Sequence, residues 1–399
     1  MLRFTYDVVC PFAYLASTRI EAIAAEAGRS ITWDPILLGG VLRALDRPDV
    51  PMNAMPAAKA RLKALDIVRQ ASMLDVPLHV PAEHPRRTVA PMRCLVAAAA
   101  DQVPGLTHAL YRAYWVDGID VSDLDALTPV VAPFGVDARA AQTDEAIRQG
   151  LFDRTAAAVE RGAFGVPTIE VDGELFYGVD RLRMVRRKLG LPALPPNEPS
   201  TPPGGTIEFF HDFSSPFSYL GATQVEAFAD RHGAKVVYTP FLLGGLFKAI
   251  GTPMVPLHAQ SASQQRYAGK DMGDWSSYWG VNFKFPSNFP LRTIAPLRAA
   301  IVEPRATGAI YRAAWVDDRN IGDTEVLTAV LNDAGFDGAA IVAQTQDPAI
   351  KKQLIANSER AQQVGVCGAP TFKVGDQLFW GQDRFDMVSR ALTGWAVHA

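Results

Sequence analysis

Cysteine is scarce in this chain. Only three occur among 399 residues, Cys10, Cys94 and Cys367, and an odd number of widely spaced thiols argues against a disulfide framework and for a reducing compartment. An excess of either charge is missing too. The 39 Lys and Arg nearly balance the 42 Asp and Glu, for a net charge of −3, so no basic face is expected that would hold nucleic acid or anionic lipid. No uncharged apolar run reaches the roughly 18 residues of a membrane span. The opening MLRFTYDVV enters a strand pattern at once, without the regions of a secretory leader. No spacing of the seven histidines suggests a metal site. These absences leave a globular chain, 48% hydrophobic and 20% charged, long enough for two domains. Its expected location is the cytoplasm and its expected partner a small molecule, with neither nucleic acid nor membrane.

What is present is a duplication. LLGGVLRAL in the first half returns as LLGGLFKAI, RTVAPMR as RTIAPLR, YRAYWVD as YRAAWVD, GVPT as GAPT and GVDRL as GQDRF. Order is kept across whole halves, so a domain is repeated and not a short solenoid unit. Between the halves, residues 191–205 (LPALPPNEPSTPPGG) are rich in proline, which excludes helix and central strand and predicts a semi-rigid linker. The expected domains are residues 1–190 and 206–394.

Each half reads alike. A period-two strand (LRFTYD, TIEFFHD) runs into a helix opened by proline, and a second strand follows (SITWDPIL, KVVYTPFL). A long helical stretch comes next, from about Gly40 to Gly162 and from Gly244 to Gln363, then two short strands and a final helix beginning at Asp180 or Asp383. The predicted class is α/β, as two tandem thioredoxin-like domains, each with a large helical insertion between its β-α-β and β-β-α units.

The stretch Asp212-Phe213-Ser214-Ser215-Pro216-Phe217-Ser218-Tyr219-Leu220, with the later GAPTF and GQDRF, resembles the kappa-class glutathione transferases and the 2-hydroxychromene-2-carboxylate isomerases, within the larger disulfide-oxidoreductase-like family. The resemblance covers nearly the whole chain, twice over. It implies glutathione as cofactor, with Ser215 lowering the pKa of the glutathione thiol. It also implies cis peptide bonds before Pro167 and Pro370, which leave Val166 and Ala369 as an edge that pairs with an extended tripeptide. Gln382 and Asp383 then face the γ-glutamyl end, with Asp180 as the first-copy counterpart of Asp383. A lysine that meets the glycine carboxylate in related sequences corresponds to Lys59 in the first copy and to Gln264 in the second.

Each of these residues has a plainer reading. Ser215 serves equally as a helix cap, Pro370 as a turn proline, and Asp383 as a cap of the final helix. Arg292, Phe217 and Trp275 are candidates to hold an acidic aromatic substrate, or else a structural carboxylate and core aromatics. Cys10 stands where Ser215 stands in the other copy. At a helix N-terminus it is either an activated thiol or a buried replacement for serine. Ala13 occupies the place of a second cysteine, which rules out a C-x-x-C cycle in that turn. Cys94 and Cys367 read as packing residues.

Two functions are therefore expected: a glutathione-dependent isomerase acting on an unsaturated, aromatic-derived carbonyl compound, or a kappa-like glutathione transferase. A third is a thiol redox protein that uses Cys10. The two halves of one chain are expected to stand in for the two subunits of a dimer.

Overall fold

The computed structural model describes residues 1–194 and 201–397. The first strand of each copy is buried on both sides: Leu2–Tyr6 (β1) buries the successive residues Phe4 and Thr5, and Thr206–His211 (β5) buries Phe209 and Phe210. A strand that buries both faces belongs in the middle of its sheet. β1 pairs in parallel with Ile31–Pro35 (β2) and antiparallel with Thr168–Val171 (β3), which pairs antiparallel with Glu174–Tyr177 (β4). In the second copy β5 lies between Lys235–Pro240 (β6) and Thr371–Val374 (β7), with Gln377–Trp380 (β8) beyond. The orders are β2-β1-β3-β4 and β6-β5-β7-β8. Each parallel step is bridged by a helix that starts with proline, Pro11–Glu26 or Pro216–His232.

Aromatic partners across the strands set the register. Phe4 is opposite Trp33 with ring centroids 5.4 Å apart, and Phe209 meets Tyr238 at 5.6 Å and Phe372 at 5.3 Å. A slip of one residue would turn these rings to the opposite face.

The inserted segments are helical, and both are fastened to the strand-to-helix turn by tryptophan. Trp115, from Val103–Trp115, donates its indole N–H to the Val8 carbonyl at 2.9 Å, and Trp315, from Thr307–Trp315, donates to that of Phe213 at 2.8 Å. Both indoles are fully buried, where a single unmade hydrogen bond costs about 1–3 kcal/mol.

The structure departs from expectation at two places. The final α-helices begin at Leu182 and Phe385, with Arg181 and Arg384 at the N-cap and no cap bond from those side chains; in the first copy a 3-10 turn over Val179–Arg181 leads into the helix, so helical backbone there includes Asp180 as expected. Each aspartate forms an ion pair with its neighbouring guanidinium, Asp180 with Arg181 at 3.2 Å and Asp383 with Arg384 at 3.0 Å. The second departure concerns Lys59. It lies in the helix Ala57–Met73, yet residues 55–63 group with the second copy, not the first.

Of the expected linker, residues 195–200 lie outside the described residues. No helix among the described residues is long and apolar enough to cross a membrane, and none of their His, Cys, Asp and Glu side chains cluster as metal ligands.

Candidate active site

The β5-to-helix turn is built around Asp212. Its carboxylate accepts the N–H of Ser214 at 2.9 Å and that of Leu243 at 2.8 Å, while its carbonyl accepts the Ser215 N–H at 3.1 Å. Burial raises its pKa, opposed by these N–H bonds and by Thr293. One side chain thus ties the turn to the next helix, Leu243–Ile250. Asp7 does the same in the first copy, accepting from Leu38 at 2.8 Å and from Val9 at 3.2 Å. Sequence reasoning passed over both aspartates. The signal was available, since each is the aspartate that ends the first strand pattern of its copy.

Ser215 then sits at the N-terminus of a 17-residue helix, with 5% of its surface exposed. Its hydroxyl accepts the Ser218 N–H at 3.1 Å, as a cap does, and donates to the Ala369 carbonyl at 2.7 Å. The Ala369–Pro370 bond is cis, as is Val166–Pro167; so are His84–Pro85 and Phe289–Pro290, which sequence reasoning did not anticipate. No backbone hydrogen bond is made by the Ala369 N–H among the described residues. The turn therefore presents three things together: the positive end of a helix, a hydroxyl, and one edge of extended backbone.

In the first copy the Cys10 thiol lies 3.1 Å from the Val166 carbonyl and makes no cap bond. It is buried, and so are Cys94 and Cys367. Burial pushes the Cys94 and Cys367 thiols up to about 12, and Lys59 and Arg61 lower that of Cys367 only in part. Both are core residues.

Lys59 is the surprise of the second copy. Its Nζ lies 5.3 Å from the centre of the Trp380 ring on β8, a cation–π contact. Trp380 in turn covers Gly368, two residues before Pro370: a Cβ built there would lie 2.5 Å from the indole Nε1. Gln264, which takes the place of the lysine in the second copy, closes a capping box with Ser261 at the start of Ala262–Trp279.

The remaining candidates divide. Gln382 is buried and accepts the Trp279 indole N–H on Oε1 at 2.7 Å. Trp275 is fully buried, stacked on Trp279 with centroids 5.7 Å apart; it cannot face a substrate and acts as the support beneath Trp279. Phe217 is half-buried on the first turn of the Ser215 helix. Arg292 is exposed and packs its backbone on Gly322, with no ion pair among the described residues. His211 is held neutral, with its pKa lowered to about 3 by burial, and contacts the Tyr311 hydroxyl at 3.1 Å.

A DSBA-like thioredoxin domain matches residues 1–190 and again 206–393. The chain is 31% identical over 194 residues to a 2-hydroxychromene-2-carboxylate isomerase of Pseudomonas sp. (strain C18), covering 48% of this chain and 90% of that protein. It is 26% identical over 209 residues to glutathione S-transferase kappa 1 of Rattus norvegicus, covering 48% and 91%. A solved 2-hydroxychromene-2-carboxylate isomerase superposes with a TM-score of 0.43 at 26% identity, covering 47% of this chain and 95% of that one. The chain belongs to the DSBA-like thioredoxin domain family, which it carries as two copies in one polypeptide.

Proposed function

We propose that the second copy is a glutathione-dependent isomerase site acting on an unsaturated, aromatic-derived carbonyl compound. The observation that carries this reading is the Ser215–Ala369 pair: a buried hydroxyl at a helix N-terminus, 2.7 Å from a carbonyl whose residue also has an unbonded N–H. The residues fit a thiol peptide. Ala369 offers N–H and C=O in the pattern that an added strand requires. Rotation about the Ser215 Cβ–Oγ bond redirects its proton from the Ala369 carbonyl to a sulfur, and frees that carbonyl for a peptide N–H. A thiolate at this point is stabilised by the helix end and by one hydroxyl donor.

The cofactor would supply the sulfur nucleophile that adds to an activated double bond and leaves once the single bond has rotated. Asp383 and the amide hydrogens of Gln382 serve the γ-glutamyl end, and Asp180 would do so in the first copy, with Val166 and Pro167 as its backbone edge beside Cys10. Lys59 supplies the cation for the glycine carboxylate in the second copy, where Gln264 is engaged as a cap. In this reading Phe217 and Arg292 would contact the substrate.

The test is turnover of a glutathione-dependent model substrate, with and without glutathione, in the wild type and in Ser215→Ala. Activity that needs glutathione and falls in the variant is the expected result. Activity without glutathione that is lost in Cys10→Ser would move the function to the thiol redox reading. A conjugated product in place of an isomer would select the kappa-like transferase.

A further inference from the structure

On the side of the second sheet away from the Ser215 helix, a cleft of about 280 Å³ opens between Leu243–Ile250, Ile294–Val302 and Pro348–Val364. Its walls are apolar: Leu246, Ile294, Leu354 and Ile355. Ile294 and Ile355 are exposed large hydrophobics, 47% and 57%, which soluble surfaces seldom gather without a purpose. Two cations complete the lining, Arg298 and Lys351. The Arg298 Nε is buried and has no hydrogen-bond partner, and Lys351 forms no ion pair among the described residues. A buried guanidinium N–H left unbonded is costly, and a carboxylate is the group that satisfies it best.

The first copy differs at the same place. Its counterparts of Arg298 and Lys351 are Arg93 and Arg148. Arg93 donates to the Gln142 carbonyl at 2.7 Å, and Arg148 is paired with Glu145 one turn earlier. In the second copy Pro348 replaces Glu145 and removes that acid. The floor differs likewise. At Gly40 a Cβ would meet the Thr155 methyl at 2.8 Å, whereas Ser358 stands in place of Thr155 in the second copy, and the nearest atoms to a Cβ on Gly245 belong to Leu242 at 3.6 Å. Glu359 also lines the cleft, but about two helical turns beyond Lys351, roughly 12 Å along the axis. Lys351 and Glu359 are thus separate along their helix.

We propose that this cleft binds a small apolar molecule ending in a carboxylate, with the acid group on Arg298 and Lys351 and the hydrocarbon on Leu246, Ile294, Leu354 and Ile355. Its size lies just under the roughly 300–1,000 Å³ of drug-sized ligand sites, which suits a medium-chain acid. The site is distinct from the thiol site and does not depend on it.

The experiment is calorimetric titration of the full chain with octanoate, and with octan-1-ol as the uncharged comparator. Saturable binding of octanoate at a single site is expected, with octanol weaker by about tenfold, the worth of a charge-assisted bond. Arg298→Gln should weaken octanoate by about tenfold. Pro348→Glu, which restores the first copy's pairing at a position where an acid suits the helix start, should weaken it as well. Ser358→Thr should do so by narrowing the floor. Circular dichroism of each variant establishes that it is folded. Equal binding of octanol, undiminished octanoate binding in folded Arg298→Gln and Pro348→Glu, competition between octanoate and glutathione, or no saturable binding at all would each overturn the proposal.

Discussion

The Ser215 hydroxyl donates to the carbonyl of Ala369 at 2.7 Å, although 154 residues separate the two. Their meeting joins the start of the second copy's first helix to the backbone just ahead of β7. In the first copy the same joint is made by the Cys10 thiol and Val166 at 3.1 Å. A thiol is a weaker donor than a hydroxyl, and the Cys10 side chain makes no cap bond, the Ala13 N–H going to the Cys10 carbonyl at 3.1 Å, where the Ser215 hydroxyl takes the N–H of Ser218. At this joint the two copies thus share a geometry and differ in the donor atom, sulfur in one and oxygen in the other.

Ser215→Ala removes a hydrogen bond to a thiolate and a helix cap together. Loss of the charge-assisted bond is expected to cost about 1.5–3 kcal/mol in the reaction, or about ten- to a hundredfold in glutathione-dependent turnover. Loss of the cap is expected to lower stability by about 0.5–2 kcal/mol. Cys10→Ser should alter turnover little. Steady-state kinetics of both variants checks this, and the reverse ranking would assign the chemistry to the first copy.

Lys59→Gln should raise KM for glutathione by up to about fivefold with kcat unchanged, as befits loss of a partly solvated ion pair worth about 0–1 kcal/mol. Gln264→Lys in that variant restores a cation from the second copy's own helix. If KM stays at the wild-type value in Lys59→Gln, the lysine plays no part in the site.

Gly368→Ala places a methyl 2.5 Å from the Trp380 Nε1. The ring is the far end of a stiff side chain on β8, so it must swing away. Overpacking of this kind costs about 1–3 kcal/mol, read as a lower urea midpoint. An unchanged midpoint would show that Trp380 yields freely.

His211 supplies a pH dependence. Its pKa is lowered from 6.5 to about 3 in the folded chain by burial, so below pH 6.5 the unfolded chain takes a proton that the folded chain refuses. The associated stability is fully present above pH 6.5 and is lost as pH falls toward 3, by at most about 1.4 kcal/mol per pH unit. His211→Tyr copies the first copy, where Tyr6 fills this position and bonds the Thr107 hydroxyl at 2.6 Å. Urea unfolding from pH 7 to pH 4 should show a flatter profile for the variant, and parallel profiles would contradict the assignment.

The duplication and the strand and helix order of each copy were legible in the chain, whereas the meeting of the Ser215 turn with Pro370 was expected only from the family resemblance. Local periodicity sets which faces of a strand or helix are apolar, and two aligned copies repeat that information. Other features came only with the tertiary structure. Trp275 and Trp279 are one helical turn apart on the same helix, and periodicity does not say that the first is entombed while the second reaches Gln382. Asp383 had the composition of a cap, but the residue at the N-cap is Arg384, whose guanidinium lies 3.0 Å from the Asp383 carboxylate. Lys59 belongs by sequence to the first copy and by contact to the second. Position along a chain orders a helix among its neighbours, but which surface its end rests on is decided by packing between segments hundreds of residues apart.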